Sequence, residues 1–234
     1  MDLDQVIIIT IEGLIGAGKS TLVSFLKDIK LEDTFFVNEP VEEFQTFYHF
    51  NPLETQKLNP FATQLHIIRC LKKQYNNLIE KSDGARVIIT DRCLNSSIVF
   101  IDTLYRTGCI NDFEKKLLET IVEETKDEIK LVEPDAIFFL TASPEVCHQR
   151  ALFRNRVSEL DNISNDYLNK LNESYLKYFV EKCKNIITFS KNDITKPEEL
   201  VLEFTKFVKN LSQEKKFKSS SDITLNNEGF ASSS

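Results

Sequence analysis

The sequence predicts a single α/β domain built on an open, doubly wound sheet of five parallel strands flanked by helices. Two observations lead to this prediction: short runs of β-branched and aromatic residues alternate with longer segments of helical period, and most of the short runs are apolar at consecutive positions. Consecutive apolar residues are typical of strands buried on both faces, as in a parallel sheet. The chain has 234 residues, 41% of them hydrophobic, which is enough for one full core.

The predicted strands lie in the order expected for alternating β and α elements. They are Gln5–Ile11, Thr34–Asn38, Arg86–Thr90, Asp135–Thr141 and Asn185–Phe189. Two of the segments between them carry clear helical stripes: Phe113, Leu117, Leu118, Ile121, Val122 and Ile129, then Tyr167, Leu168, Leu171, Tyr175, Phe179 and Cys183. Ser143 before Pro144 predicts the start of a further helix, with Ser as N-cap and Pro at the first helical position.

Composition limits the kind of partner and the compartment. The formal net charge is −7 and no basic stripe occurs, which argues against nucleic acid as a partner. Five widely spaced cysteines without a CxxC pair indicate reduced thiols. The apolar run near the start is too short for a signal peptide or a membrane helix, so we expect a cytoplasmic protein without a membrane partner. We expect residues 1–212 to form the domain and residues 213–234, which are rich in Lys, Ser, Asn and Gly, to form a disordered tail.

The clearest functional motif follows the first predicted strand. Residues 13–20, Gly-Leu-Ile-Gly-Ala-Gly-Lys-Ser, match the phosphate-binding pattern G-x-x-x-x-G-K-[ST] of the P-loop. Its glycines let backbone N–H groups point at a phosphate, Lys19 reaches the outer phosphates, and the Ser20 hydroxyl suits Mg2+. The pattern predicts a nucleoside triphosphate site, taken here as an ATP site, made by Gly13, Leu14, Ile15, Gly16, Ala17, Gly18, Lys19, Ser20 and Thr21.

Carboxylates follow the next two predicted strands. Glu39 stands at the end of the second predicted strand, directly after Asn38, and Asp91 and Arg92 stand at the end of the third, directly after Thr90. Ligands of open α/β sheets bind beyond the carboxyl ends of the strands, so these side chains are expected beside the P-loop. Glu39 suits the base that takes a hydroxyl proton in phosphoryl transfer, and Asp91 suits Mg2+, directly or through water. Each also has a structural alternative: Glu39 would favour the positive end of the helix after Pro40, and Asp91 would cap the helix after it.

Arginines follow the fourth predicted strand. Arg150 and Arg154 lie one helical turn apart on one face, and Arg156 lies just beyond. Folded over a triphosphate, they would stabilise transition-state charge and exclude water as a lid. The alternative is a solvated helix face, which is the usual meaning of charges at this spacing.

Taken in order, these motifs resemble those of the deoxynucleoside kinase family, from about Ile7 to Leu211. The resembling segments are 11–21, 38–44, 61–64, 91–92, 100–105 and 147–159. The resemblance implies a P-loop NTPase-type sheet with a lid segment, a reaction that moves the γ-phosphate of ATP to a deoxynucleoside 5′-hydroxyl, and a role in nucleotide salvage. It also implies a homodimer formed through the helices between the third and fourth strands.

The resemblance carries roles for individual side chains. It makes Glu39 the base and has Arg92 hold that base and the 5′-oxygen in place. The other predicted catalytic residues are Lys19, Arg150, Arg154 and Arg156, and the remaining nucleotide contacts are Arg154 and Asp193. The predicted substrate contacts are Phe44 as a pocket wall, Gln64 on the nucleobase edge, Phe100 stacked on the base, and Glu159 on the 3′-hydroxyl, in addition to Glu39 and Arg92.

Two departures from the family pattern bear on the substrate. A Tyr that holds the 3′-hydroxyl in the family is replaced by Leu53, with Tyr48 as a substitute nearby. Where the cytidine-preferring member has Arg and Asp near the base, this chain offers Leu71 and either Ser96 or Ser97. Small or apolar residues there leave room for a thymine methyl group, so thymidine and deoxycytidine are the favoured substrates.

Three other functions fit parts of the sequence. A thymidylate kinase shares the P-loop, the Glu-Pro and the Asp-Arg, but has Arg and Gly where this chain has Asn38 and Val41. A GTP-binding switch protein requires Asn-Lys-x-Asp after a strand, whereas Ser190-Lys-Asn-Asp193 stands here. A module that binds nucleotide without catalysis is disfavoured because Glu39, Asp91 and Arg92 are all present.

Overall fold

The computed structural model describes residues 6–41, 43, 59–82, 85–129, 133–154, 163–180, 186–190, 198–199 and 201–211. The chain divides into two compact units, Met1–Thr195 and Lys196–Ser234. In the second unit, residues 198–199 and 201–211 are helical. The predicted tail at 213–234 lies outside the described residues.

The first unit contains the predicted sheet. Its strands are β1 (Ile7–Gly13), β2 (Thr34–Val37), β3 (Val87–Asp91), β4 (Ala136–Thr141) and β5 (Ile186–Ser190). All neighbouring pairs are parallel, in the order β2-β3-β1-β4-β5. The prediction of five parallel strands is therefore confirmed, and the predicted bounds differ from the observed ones by at most two residues. Every residue of β1 and β3 is buried, which explains why these strands carry mostly apolar residues at consecutive positions rather than in alternation.

Helices connect the strands. They are α1 (Lys19–Asp28), α2 (Pro60–Lys81), α3 (Ser96–Arg106), α4 (Asp112–Glu128), α5 (Pro144–Arg154) and α6 (Asn165–Tyr175), the last continued by a π-helical turn at Leu176–Val180. The predicted cap of α5 is confirmed, since the Ser143 hydroxyl accepts a hydrogen bond from the Val146 N–H at 3.3 Å. Asn111 and Glu114 form a reciprocal capping box at the start of α4.

Side chains from α2, α3 and α4 share one hydrophobic cluster with the sheet. It includes Ile68, Leu71, Ile88, Ile101, Leu118 and Val122. The predicted stripe of α4 is only partly in this cluster, because Leu118 and Val122 are fully buried whereas Phe113 is 75% exposed. None of the described helices is long and apolar enough to cross a membrane.

The order of the strands determines where a ligand site is expected in this fold. β1 lies between β3 and β4, and the chain leaves β1 toward β2 on one side and later crosses to β4 on the other. Ile11 of β1 pairs with Asp91 at the end of β3, so the loop after β1 and the residues after β3 lie side by side. This switch in direction is where open α/β sheets bind their ligands.

Candidate active site

The loop between β1 and α1 has the backbone that a phosphate cradle requires. Gly13, Gly16 and Gly18 have φ angles of 143°, 84° and 99°, which residues with a Cβ rarely adopt. A Cβ at Gly13 would lie 2.5 Å from the Leu140 carbonyl oxygen at the end of β4. Helix α1 begins directly after Gly18, which gives its first turn no side-chain cap. Uncapped N–H groups at a helix N-terminus are suited to binding an anion.

Lys19 is buried inside this loop. Its ammonium donates hydrogen bonds to the carbonyl oxygens of Gly13 at 3.2 Å and Leu14 at 3.0 Å. Burial and the nearby Arg92 lower the pKa of Lys19 to about 8, against the opposing effect of neighbouring carboxylates. Both of these hydrogen bonds go to neutral carbonyls, so the negative charge of a triphosphate would stabilise this buried cation.

Ser20 and Asp91 form the oxygen pair that the sequence predicts for a metal. The Ser20 hydroxyl donates to Asp91 Oδ2 at 2.9 Å across the gap between α1 and β3. Asp91 Oδ1 is buried and has no hydrogen-bond partner among the described residues. The helix that follows begins at Ser96 with Asn95 at its N-cap position, which contradicts the alternative that Asp91 caps it. Hard oxygen ligands of this kind fit Mg2+, which is usually held by one or two carboxylates together with substrate phosphates and water.

Arg92 lies directly after Asp91 and is the centre of the site. It has a left-handed backbone, with φ 69°, and its side chain is 5% exposed. Its Nε lies 3.2 Å from Glu39 Oε1, an ion pair whose angles are not those of a hydrogen bond. Its guanidinium carbon lies 5.0 Å from the centroid of the Phe100 ring, within cation–π distance. Glu39, beyond the end of β2, keeps 24% of its side chain exposed, so it is accessible to a substrate hydroxyl.

A second carboxylate stands on the interior side of Arg92. Glu12, the residue before Gly13 in β1, is fully buried, and its Oε2 lies 3.6 Å from Arg92 Nη1. The hydroxyl of Tyr175, at the end of α6, donates to the same Glu12 oxygen at 3.3 Å and accepts from Arg92 Nη1. Burial raises the pKa of Glu12, although Arg92 and the hydrogen bonds oppose this effect. The sequence did not identify Glu12 or Tyr175 as site residues. The one signal for Glu12 was a charged side chain in a strand whose other side chains are mostly apolar.

The comparisons with known proteins agree with this geometry. Residues 9–223 match the family model described as deoxynucleoside kinase. This chain belongs to the deoxynucleoside kinase family. It is 29% identical over 177 residues to the "probable deoxycytidine kinase" of fowlpox virus, covering 74% of this chain and 72% of the relative. It is 27% identical over 196 residues to the deoxyadenosine kinase of Dictyostelium discoideum, with coverages of 82% and 75%. It is 27% identical over 198 residues to human deoxycytidine kinase, with coverages of 74% and 75%.

Membership of the deoxynucleoside kinase family confirms the resemblance that the motifs indicated. The chain is a nucleotide-binding kinase of this family. The readings as a GTP switch or a thymidylate kinase lose their support, because the family match covers nearly all of the domain.

Gln64 and Phe100 are the residues that the sequence predicts to contact the base, and both are among the described residues. Gln64, in the first turns of α2, is 3% exposed, and its Nε2 has no hydrogen-bond partner among the described residues. Without the family resemblance Gln64 would have been read as a surface residue, yet it is buried. Phe100 is half-buried in α3 and packs edge-on against Tyr175, with 6.2 Å between the ring centroids.

The predicted arginine lid lies only partly within the described residues. Arg150 and Arg154 both lie on α5 and are exposed. Four other predicted site residues, Phe44, Arg156, Glu159 and Asp193, lie outside the described residues, as do Tyr48 and Leu53. The roles of these six residues and of the two arginines therefore stay predictions.

Proposed function

We propose that this chain transfers the γ-phosphate of ATP to the 5′-hydroxyl of a deoxynucleoside. The observation that carries the proposal is the contact between Arg92 and the partly exposed Glu39, beside the P-loop and the Ser20–Asp91 pair. This arrangement combines a base, a cation at the reacting oxygen and a triphosphate cradle at one sheet edge. The product, a deoxynucleoside monophosphate, is a DNA precursor, which fits a role in nucleotide salvage.

The reaction needs one proton transfer and one displacement. Glu39 accepts the proton of the 5′-hydroxyl while the 5′-oxygen bonds to the γ-phosphorus and the bond to the β,γ-bridging oxygen breaks, so that ADP leaves. Arg92 orients Glu39 and the 5′-oxygen, and Lys19 neutralises charge on the outer phosphates. Mg2+, when bound, would shield the phosphate charge, and the Ser20 hydroxyl and Asp91 carboxylate would hold it. Arg150, Arg154 and Arg156 are expected to close over the phosphates.

A coupled ADP-release assay tests this reaction. Each of the four deoxynucleosides and dTMP is offered with ATP and Mg2+. We expect Glu39→Gln to lower kcat by about 10²- to 10⁴-fold, the range for loss of a general base, while Glu32→Gln stays within about twofold. Glu32 is a matched control because it is an exposed carboxylate just before β2. Turnover of dTMP alone, or full activity of Glu39→Gln, would contradict the proposal.

We propose thymidine and deoxycytidine as the preferred substrates. The Ser96 hydroxyl is engaged by Glu12, whereas Ser97 Oγ is buried without a partner among the described residues, as is Gln64 Nε2. Ser97 is therefore the small residue that supports space for a thymine methyl group, while Leu71 belongs to the core cluster. The test is kcat/KM for all four deoxynucleosides. Turnover of deoxyadenosine, the substrate that one relative's name states, without turnover of thymidine would contradict this preference.

We also propose a homodimer formed through α3 and α4. These helices expose apolar side chains on the first unit: Phe113 is 75% exposed, and Leu117 and Tyr105 are each 37% exposed. Exposed apolar residues close together on neighbouring helices are typical of an interface rather than of solvated surface. The cytoplasmic location and the absence of a nucleic-acid partner stay predictions from composition.

A further inference from the structure

We propose that Glu12 is a positioning residue for phosphoryl transfer: its buried carboxylate fixes the Arg92 guanidinium, which in turn orients Glu39. The effect on turnover rests on the proposed kinase function. The effect on the position of Arg92 does not, because it concerns the protein alone.

Both oxygens of the Glu12 carboxylate are engaged inside the protein. Oε1 accepts hydrogen bonds from the Cys93 backbone N–H at 3.0 Å and from the Ser96 hydroxyl. Oε2 accepts from the Tyr175 hydroxyl at 3.3 Å and lies 3.6 Å from Arg92 Nη1. A fully buried carboxylate is costly unless it is paired and hydrogen-bonded, and here Arg92 is the cation that pairs with it.

Arg92 is held between two carboxylates at opposite ends of its guanidinium. Nη1 faces Glu12 and Tyr175 in the interior, while Nε faces Glu39 at the sheet edge. The Arg92 guanidinium carbon lies over the Phe100 ring, 5.0 Å from its centroid. Since the guanidinium is planar and rigid, fixing its interior end also fixes the end that contacts the base.

The backbone of Arg92 shows that this placement is imposed by its surroundings. Its φ of 69° is a left-handed value that a side chain with a Cβ adopts only when the structure around it enforces it. The Cys93 N–H that follows Arg92 is bonded to Glu12 Oε1. Glu12 therefore holds Arg92 from two sides, through its charge at Nη1 and through the backbone of the next residue.

Glu12→Gln separates these two contributions. The amide keeps an acceptor oxygen for Cys93 and Ser96 but removes the charge that faces Arg92. We expect kcat to fall by about 10- to 100-fold, the loss that a displacement near 1 Å produces in a catalytic site. The deoxynucleoside KM should change less than about threefold, because the substitution displaces the residue at the reacting 5′-oxygen and leaves the predicted base contact Gln64 in place.

Two further variants give a second perturbation and a control. Tyr175→Phe keeps the buried ring and removes the hydroxyl between Glu12 and Arg92, so kcat should fall by about 2- to 10-fold. Asp102→Asn makes the same carboxylate-to-amide change on α3, where Asp102 accepts from Ser174 at 2.8 Å. Its kcat should stay within about twofold of the wild type. Unchanged kcat in Glu12→Gln, or an equal loss in Asp102→Asn, would overturn the proposal.

A double-mutant cycle tests whether Glu12 acts through Arg92. Arg92→Lys keeps the positive charge but lacks the planar guanidinium group that contacts both Glu12 and Glu39. If Glu12 acts through Arg92, Glu12→Gln should change kcat less than about twofold in the Arg92→Lys background, whereas independent effects would multiply. Multiplying effects would overturn the proposal.

A crystal structure of the Glu12→Gln protein would test the role of Glu12 independently of the proposed kinase activity. We expect the Arg92 guanidinium to leave the position from which it contacts Glu39. An Arg92 that stays in place would overturn the role of Glu12 even if the wild-type protein turned over no deoxynucleoside. Absence of wild-type turnover would contradict the proposed function instead.

Discussion

Replacing Gly13 by Ala should disable the phosphate loop through a clash that can be estimated from the structure. The new Cβ would lie 2.5 Å from the Leu140 carbonyl oxygen, closer than Cβ atoms come to such oxygens in proteins, and the φ of 143° is a conformation that L residues rarely adopt. The strained backbone costs about 1–3 kcal/mol and the overpacking about 1–3 kcal/mol, together about 2–6 kcal/mol. Relief requires the P-loop to move away from the end of β4, which displaces the N–H groups that receive the phosphates.

Gly108→Ala provides the matched control for this clash. Gly108 also has a positive φ, 70°, but a Cβ there would have no heavy atom within 4 Å. It should therefore lose only the left-handed backbone cost, about 1–2 kcal/mol, and keep its turnover. Urea unfolding measures both losses; with a slope of about 2 kcal/mol per M, Gly13→Ala should lower the midpoint by about 1–3 M and Gly108→Ala by less than about 1 M. If Gly13→Ala lost no more stability than Gly108→Ala and kept full ADP release, the reasoning would be refuted.

Two other changes follow from single contacts. Ser20→Ala removes the hydroxyl that donates to Asp91, so we expect kcat to fall about 10- to 100-fold and the Mg2+ concentration for half-maximal rate to rise. Mg2+ titration of the ADP-release assay measures both effects. An unchanged Mg2+ requirement would contradict the prediction that Ser20 and Asp91 hold Mg2+. Phe113→Asp places a charge on the exposed apolar face of α4 and should convert the proposed dimer into monomers, as measured by sedimentation velocity. A dimer that persists in this variant would contradict the proposed interface.

The sequence was sufficient for the sheet and for the phosphate loop because both are local signals. A run of consecutive apolar residues identifies a doubly buried strand, and the P-loop pattern is contained within residues 13–20. The position of Asp91 and Arg92 was also predictable, since Asp91 is the last residue of β3 and Arg92 directly follows it. Sequence alone left Asp91 open between a metal site and a helix cap. In the structure Asp91 accepts a hydrogen bond from Ser20 of the P-loop, and Asn95 stands at the N-cap position of the following helix, so the metal site stays as the prediction.

What the sequence did not predict depends on contacts between distant segments. Tyr175 was assigned to an apolar stripe, which is correct for its ring, but its hydroxyl bonds to Glu12, 163 residues earlier in the chain. Helical period likewise groups Phe113 with Leu118 without indicating which of them faces the core. Of these two, Leu118 is fully buried and Phe113 is largely exposed, because only one side of α4 meets the cluster shared with the sheet. Periodicity gives the relative directions of side chains, and packing decides which direction is inward.

The two carboxylates beside Arg92 explain how one guanidinium can serve both structure and reaction. Glu12 is fully buried with both oxygens engaged, so it has no access to a substrate hydroxyl and acts as a fixed charge and a fixed hydrogen-bond acceptor. Glu39 lies at the sheet edge with 24% of its side chain exposed and contacts Arg92 through one oxygen, which leaves it accessible for proton transfer. A base that must approach a hydroxyl at hydrogen-bond distance benefits from a cation that does not move. The interior carboxylate supplies that constraint from the side that the substrate does not use.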